Sequence, residues 1–136
     1  MSAPRVLLVE DNRLLRWWMA SSLESGGFAV LAPESSDEAL KMAGTWPVDL
    51  LVTDWRLGDG PDGFEVLAHA RLFSPGLFAV LISAEADEGL AEHARAAGFN
   101  VVIRKPFPVA EIVAAARTAS GSAGREEPEL HKVEVA

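Results

Sequence analysis

Val6-Leu7-Leu8-Val9-Glu10-Asp11 carries four apolar residues and then two carboxylates. The apolar run is too short for a helix. It is also continuous rather than alternating, which is how a strand buried on both faces of a parallel sheet reads. The pattern recurs along the chain. Leu50-Leu51-Val52 leads through Thr53 to Asp54, Leu77 to Ile82 leads to Ser83, and Val101-Val102-Ile103 leads through Arg104 to Lys105. Phe28-Ala29-Val30-Leu31 is a weaker fifth run.

Segments with helical spacing lie between these runs. The first spans about Asn12 to Ser25, with Leu15, Trp18, Met19, Ser22 and Leu23 on one stripe and Gly26-Gly27 as the stop. A second covers Ser36 to Ala43, with Ser35 or Ser36 as cap and Gly44 at the end. The third follows Gly63 with Phe64, Val66, Leu67 and Ala70 in phase, the fourth runs from Glu88 to Ala97, and the fifth from Val109 to Ala119. A β-α unit repeated five times calls for an α/β fold, a doubly wound (βα)5 with a five-stranded parallel sheet covered by helices on both faces. Residues 1–119 are expected to form one domain. Residues 120–136, opening Ser120-Gly121-Ser122-Ala123-Gly124 and then polar, are expected to be a flexible tail.

Composition narrows the function classes. The 136 residues fit a single domain, and 49% hydrophobic content supplies one core. Acidic residues number 20 against 12 basic, a formal charge of -8, and no cluster of Lys and Arg offsets it. Direct nucleic-acid binding is therefore not expected. The absence of cysteine excludes disulfides and thiolate metal sites. Val6 to Val9 is too short for a signal-peptide core, and no apolar stretch reaches the ~18 residues of a membrane span, so a cytoplasmic chain with no membrane partner is expected.

Ligands of open α/β sheets sit beyond the carboxyl ends of the strands, where the strand order reverses. Glu10, Asp11, Asp54, Ser83 and Lys105 occupy those ends. With sheet order 2-1-3-4-5, strands one and three are neighbours across the reversal and three carboxylates converge. Such a cluster repels itself unless a hard divalent cation sits in it, and oxygen ligands favour Mg²⁺. A carboxylate held beside Mg²⁺, an ammonium and a hydroxyl is suited to accept a phosphoryl group. Taken singly, Asp11 reads equally well as a helix N-cap, Ser83 as a loop cap and Lys105 as a surface charge. Gly58-Asp59-Gly60 lacks the following Gly-Lys-Ser/Thr of a phosphate loop, and His69 and His93 have no second ligand at metal spacing.

The residues from about Arg5 to Thr118 resemble the receiver domain of two-component response regulators, in particular the stand-alone chemotaxis and sporulation regulators. The resemblance rests on Val9-Glu10-Asp11-Asn12, Asp49-Leu50-Leu51-Val52-Thr53-Asp54, Asp62-Gly63, Ser83-Ala84 and Lys105-Pro106-Phe107, in that order. It implies a flavodoxin-like fold and phosphorylation of Asp54 by a sensor histidine kinase or a histidine phosphotransfer protein. It also implies Mg²⁺ bound by Asp11, Asp54 and the backbone carbonyl of Arg56, with Glu10 acting through water. Ser83 and Lys105 would hold the phosphoryl oxygens, and the Lys105-Pro106 bond would be cis. Output would be by contact with a downstream protein target, or by passing the phosphoryl group on in a phosphorelay. The protein is then a phosphoacceptor, not an enzyme in the ordinary sense.

Three departures from the family pattern stand out. Gly58 replaces the usual Pro four residues past the acceptor, and Asp62-Gly63 come one residue late. Val102 stands three before Lys105, where many members carry Tyr or Phe. In the family the positions of Arg56 and Glu85 flank the mouth of the site, so the resemblance suggests an ion pair that would gate water from the phosphoryl group; two independent surface charges are the alternative. On helix one, Trp17 beside Arg13 and Arg16 suits a docking spot for an acidic partner surface, against a stray exposed aromatic. A phosphorylation-independent interaction module on the same scaffold is the alternative function, with Val102 and the altered loop in its favour. A phosphohydrolase is disfavoured, because the general acid it would need two residues past Asp54 is Arg56.

Overall fold

A computed structural model describes residues 3–84, 88–120 and 133–135. The apolar runs form β1 (Arg5–Val9), β2 (Ala29–Leu31), β3 (Leu50–Asp54), β4 (Phe78–Ser83) and β5 (Val101–Arg104). The periodic segments form α1 (Arg13–Ser25), α2 (Ser36–Thr45), α3 (Gly63–Phe73), α4 (Glu88–Ala97) and α5 (Val109–Ser120). The five strands run parallel in the order β2-β1-β3-β4-β5. A short β6 (Val133–Val135) adds a sixth, antiparallel strand beside β5. The sequence reading did not include β6; residues 121–132 and 136 of the expected tail lie outside the described residues.

Side-chain alternation along each strand builds two cores. Leu7, Val9, Leu51, Ala79, Leu81 and Val102 face one side and pack with α2, α3 and α4 through Ala39, Leu67 and Ala94. Val6, Leu8, Leu50, Val52, Val80, Ile82, Val101 and Ile103 face the other and pack with α1 and α5 through Met19, Leu23 and Ile112. Because both faces are covered, residues 6–9, 50–52, 78–82 and 101–103 are apolar at every position rather than at every second one.

Three local expectations are corrected. Trp18 is 58% exposed, as Trp17 is at 67%, instead of lying in the buried stripe of α1. At about 100° per residue, the fully buried Met19 and Leu23 set the inward direction, and the half-buried Leu15 lies about 60° from it. Trp18 lies about 120° from that direction and Trp17 about 140°, so neither reaches the core. The cap of α1 is Asn12, whose side chain accepts from the Leu15 N–H at 2.9 Å, which frees Asp11 from that role. Helix α2 passes through Gly44 and ends at Thr45, with Trp46 as its cap, while Ser35 caps its start as one of the two expected serines.

Candidate functional site

The strand order reverses between β1 and β3, so their carboxyl ends lie side by side and open a crevice at the top of the sheet. Glu10 and Asp11 follow β1, Asp54 closes β3, Ser83 closes β4 and Lys105 follows β5. The topology brings all five to one place. The Lys105 ammonium donates to Asp54 Oδ2 at 2.9 Å and lies 3.1 Å from Glu10 Oε1. One oxygen from each of Glu10, Asp11 and Asp54 falls within 4.8 Å of the others. A cavity of about 160 Å³ opens beside Asp54, lined also by Trp55, Arg56, Ser83, Ala84 and Lys105.

Backbone contacts hold these side chains. The Lys105 N–H donates to the Ser83 carbonyl at 2.9 Å, joining the β4 and β5 ends of the site, and the Lys105-Pro106 bond is cis, as expected. Trp55 donates its N–H to Ile82 and accepts from Gly63, which ties the start of the β3–α3 loop to β4 and to α3. A Cβ on Gly63 would press into the Asp54 carbonyl, so this close approach requires glycine. Helix α3 starts in a full capping box, with Asp62 and Glu65 each satisfying the other's backbone N–H. Gly58 has φ 71°, a left-handed conformation that proline, fixed near -65°, is unable to adopt. The replacement of the family's proline at this position thus goes with a different course of the loop.

The electrostatics of the cluster are those of stored negative charge. Burial, with the Asp54 charge adding to it, pushes the Glu10 carboxyl up from 4.5 to about 7, against the Asn12 N–H and Lys105, which favour the ionised form. Burial pulls Lys105 down, but the hydrogen bond and charge of Asp54, joined by Glu10, outweigh it and hold the ammonium above its ordinary range. Glu10 Oε2 accepts from the Asn12 N–H at 3.0 Å. Glu10 Oε1 is buried and accepts no hydrogen bond; its approach to Lys105 is a charge contact only. A set of acceptor oxygens from three converging carboxylates, served by a single ammonium, fits a hard divalent cation.

Several contributors carried no sequence signal. Thr53 donates its hydroxyl to the Asp54 carbonyl at 2.9 Å, and Arg16 Nη1 donates to the Glu10 carbonyl at 2.9 Å. Arg16, expected on the docking face, therefore also braces the site, while Arg13 and Trp17 are exposed on α1. The Arg56 guanidinium lies 4.3 Å from the ring centre of Trp55, a cation–π contact at the edge of the cavity. Glu85, the other half of the expected gate, lies outside the described residues.

Comparison with known proteins gives a consistent picture. A family model described as the response regulator receiver domain matches residues 6–117. The KDP operon transcriptional regulatory protein KdpE of Escherichia coli is 33% identical over 114 residues, covering 84% of this chain and 50% of that protein. The chain spans about half the length of such curated relatives. A CheY-like receiver domain protein from Methanospirillum hungatei superposes with a TM-score of 0.79 at 23% identity, over 86% of this chain and 93% of that one. A response regulator protein from Burkholderia pseudomallei, solved with a phosphorylated aspartic acid, calcium ion and citrate, superposes at 0.76 with 29% identity, over 87% and 69%.

Proposed function

The chain belongs to the response regulator receiver domain family, and from that premise we propose that Asp54 accepts a phosphoryl group from a phosphohistidine of a sensor histidine kinase or histidine phosphotransfer protein. The observation that carries this reading is the convergence of Asp54 with Lys105 and two further carboxylates beside one cavity. The phosphorylated aspartic acid and calcium ion of the Burkholderia pseudomallei relative support it by likeness. A cation in the acidic cluster would be Mg²⁺, held by Asp11, Asp54 and the Arg56 carbonyl, with Glu10 bearing on it through water. When bound, it would neutralise charge on the transferring oxygens.

The chain's own residues supply the rest. A carboxylate oxygen of Asp54 forms the new O–P bond as the donor's N–P bond breaks. The electron pair leaves on the imidazole nitrogen, which then takes a proton from water. Lys105, already hydrogen-bonded to Asp54, turns to a phosphoryl oxygen, and the buried Ser83 hydroxyl on the cavity wall holds another. Phosphorylation turns the single negative charge of the Asp54 carboxylate into an acyl phosphate carrying roughly -1.5 to -2, a net gain of about -0.5 to -1 beside Glu10. That charge biases the loops after β3 and β4, and a protein target or the next phosphorelay carrier reads the change. Val102, buried against Leu90, Ala94 and Phe99, has no ring to swing, so the loops carry the switch.

Docking falls to α1. Leu14, Trp17 and Trp18 are 75%, 67% and 58% exposed at helical spacing, beside the cationic Arg13. A patch of this kind suits an acidic helical surface on the histidine-bearing partner. The reading is tested by incubation with a small-molecule phosphodonor, with Mg²⁺ or with EDTA, followed by intact mass measurement. Wild type gains one phosphoryl group only with Mg²⁺, and Asp54→Asn gains none. Equal labelling of the two proteins would refute it.

A further inference from the structure

The outer edge of β5 is where the parallel sheet stops. Lys105 gives its N–H to Ser83 of β4. Residues along a strand alternate the side to which their N–H and C=O point, so Ile103 also turns toward β4 and Val102 turns both groups outward. Left bare, this edge would present an unpaired amide and carbonyl on a strand reading Val-Val-Ile, a composition that recruits foreign strands. It is not bare. Along it lies β6, antiparallel, with Val101 opposite Val135, Val102 opposite Glu134 and Ile103 opposite Val133. By the alternation just given, Val102 and Glu134 are the pair that exchanges both hydrogen bonds. The covering strand meets β5 beside Ile103, two residues before Lys105.

We propose that the outer edge of β5 is a strand-accepting site and that Val133–Val135 is its built-in, detachable occupant. The site recognises extended backbone rather than particular side chains, the mode of recognition known as β-augmentation. Its occupant stays in place because it is tethered. Residues 121–132, which include Gly121, Ser122 and Gly124, connect it to α5. Because those residues keep it on the same chain, the pairing is intramolecular, at an effective concentration of about millimolar, enough to keep a weak ladder filled. The occupant is detachable because three residues is the lower limit of strand length. While the tether strand is in place, the edge nearest the phosphoryl-holding lysine is closed to other chains.

The test uses the whole chain carrying Val133→Pro and Glu134→Pro, which removes the N–H of Glu134 that faces β5. Amide hydrogen exchange is followed residue by residue at Val102, whose N–H faces the edge, and at Ile103, whose N–H faces β4. The expected result is exchange at Val102 at least about 10-fold faster in the variant, as for an amide that loses its ladder bond, with Ile103 unchanged. A synthetic peptide of residues 129–136 at about millimolar concentration restores protection of Val102 in the variant, supplying in trans what the tether supplied. Equal exchange at Val102 in the two proteins overturns the proposal. So does equal acceleration of Val102 and Ile103, and so does a peptide that restores nothing.

Discussion

Replacing Gly63 by alanine tests how tightly the acceptor strand is pressed against α3. The added Cβ would lie within 3.0 Å of the Asp54 carbonyl oxygen, closer than Cβ atoms come, 3.2 Å from the carbonyl carbon and 3.3 Å from Leu81 Cδ1. The oxygen and carbon belong to backbone that no rotamer change relieves, so β3 and α3 must part. Overpacking of this kind costs about 1–3 kcal/mol. Losing the Gly63 N–H bond to the Trp55 carbonyl adds about 1 kcal/mol. Alanine's better helix propensity returns up to about 1 kcal/mol, which leaves a net loss of about 1–3 kcal/mol. At a urea slope of about 2 kcal/mol/M, the unfolding midpoint falls by roughly 0.5–1.5 M. Phosphorylation of Asp54 slows as well, since the carbonyl that moves is its own. Gly76→Ala is the control, because a Cβ there meets nothing within 4 Å and the change should stay within about 0.5 kcal/mol. Urea midpoints of Gly63→Ala and Gly76→Ala that both match wild type would refute the close approach.

Three further outcomes are expected. In EDTA, stability falls as pH climbs from 4.5 to about 7, because the folded state holds the Glu10 proton more tightly than the unfolded chain and loses that advantage as the buried carboxyl ionises. Glu10→Gln removes most of this decline, and thermal melts with the same slope in both proteins would contradict the burial of that charge. Trp17→Ala slows phosphotransfer from a cognate histidine kinase about 10-fold, the loss of a docking hot spot, and leaves small-molecule donors unaffected; equal slowing of both counts against docking on α1. The double variant Arg56→Ala, Glu85→Ala shortens the phosphorylated lifetime if the two residues screen water from the site, and an unchanged lifetime rules the gate out.

The sequence made the main lines of this protein legible because its strands are buried on both faces. Val6 to Val9 and Leu77 to Ile82 have no polar side to confuse them with surface segments, and the helices between them bring their own stop signals. The site was legible for a related reason: parallel topology places every strand's carboxyl end at one rim, so Asp11, Asp54, Ser83 and Lys105 converge once the order is known. What failed was finer. Trp18 sits at the margin of the stripe that Met19 and Leu23 define, and a stripe wide enough to include it takes in a ring that is exposed. Gly44 resembled a stop, but the backbone continues through it for another residue. Val133–Val135 is too short for a periodic signal and gains its strand conformation from β5 alone. Arg16 and Thr53 reach the site through backbone carbonyls, a contact that places no demand on sequence spacing and so leaves no motif.

The most direct measurement asks which carboxyl carries the phosphoryl group. Borohydride reduces an acyl phosphate to an alcohol, so a phosphorylated aspartate becomes homoserine, and peptide sequencing by mass spectrometry locates it. After treatment with a histidine-phosphorylated donor protein and Mg²⁺, homoserine should appear at position 54, and omission of Mg²⁺ should abolish it. Reduction products at Glu10 or Asp11 with position 54 untouched would contradict the account.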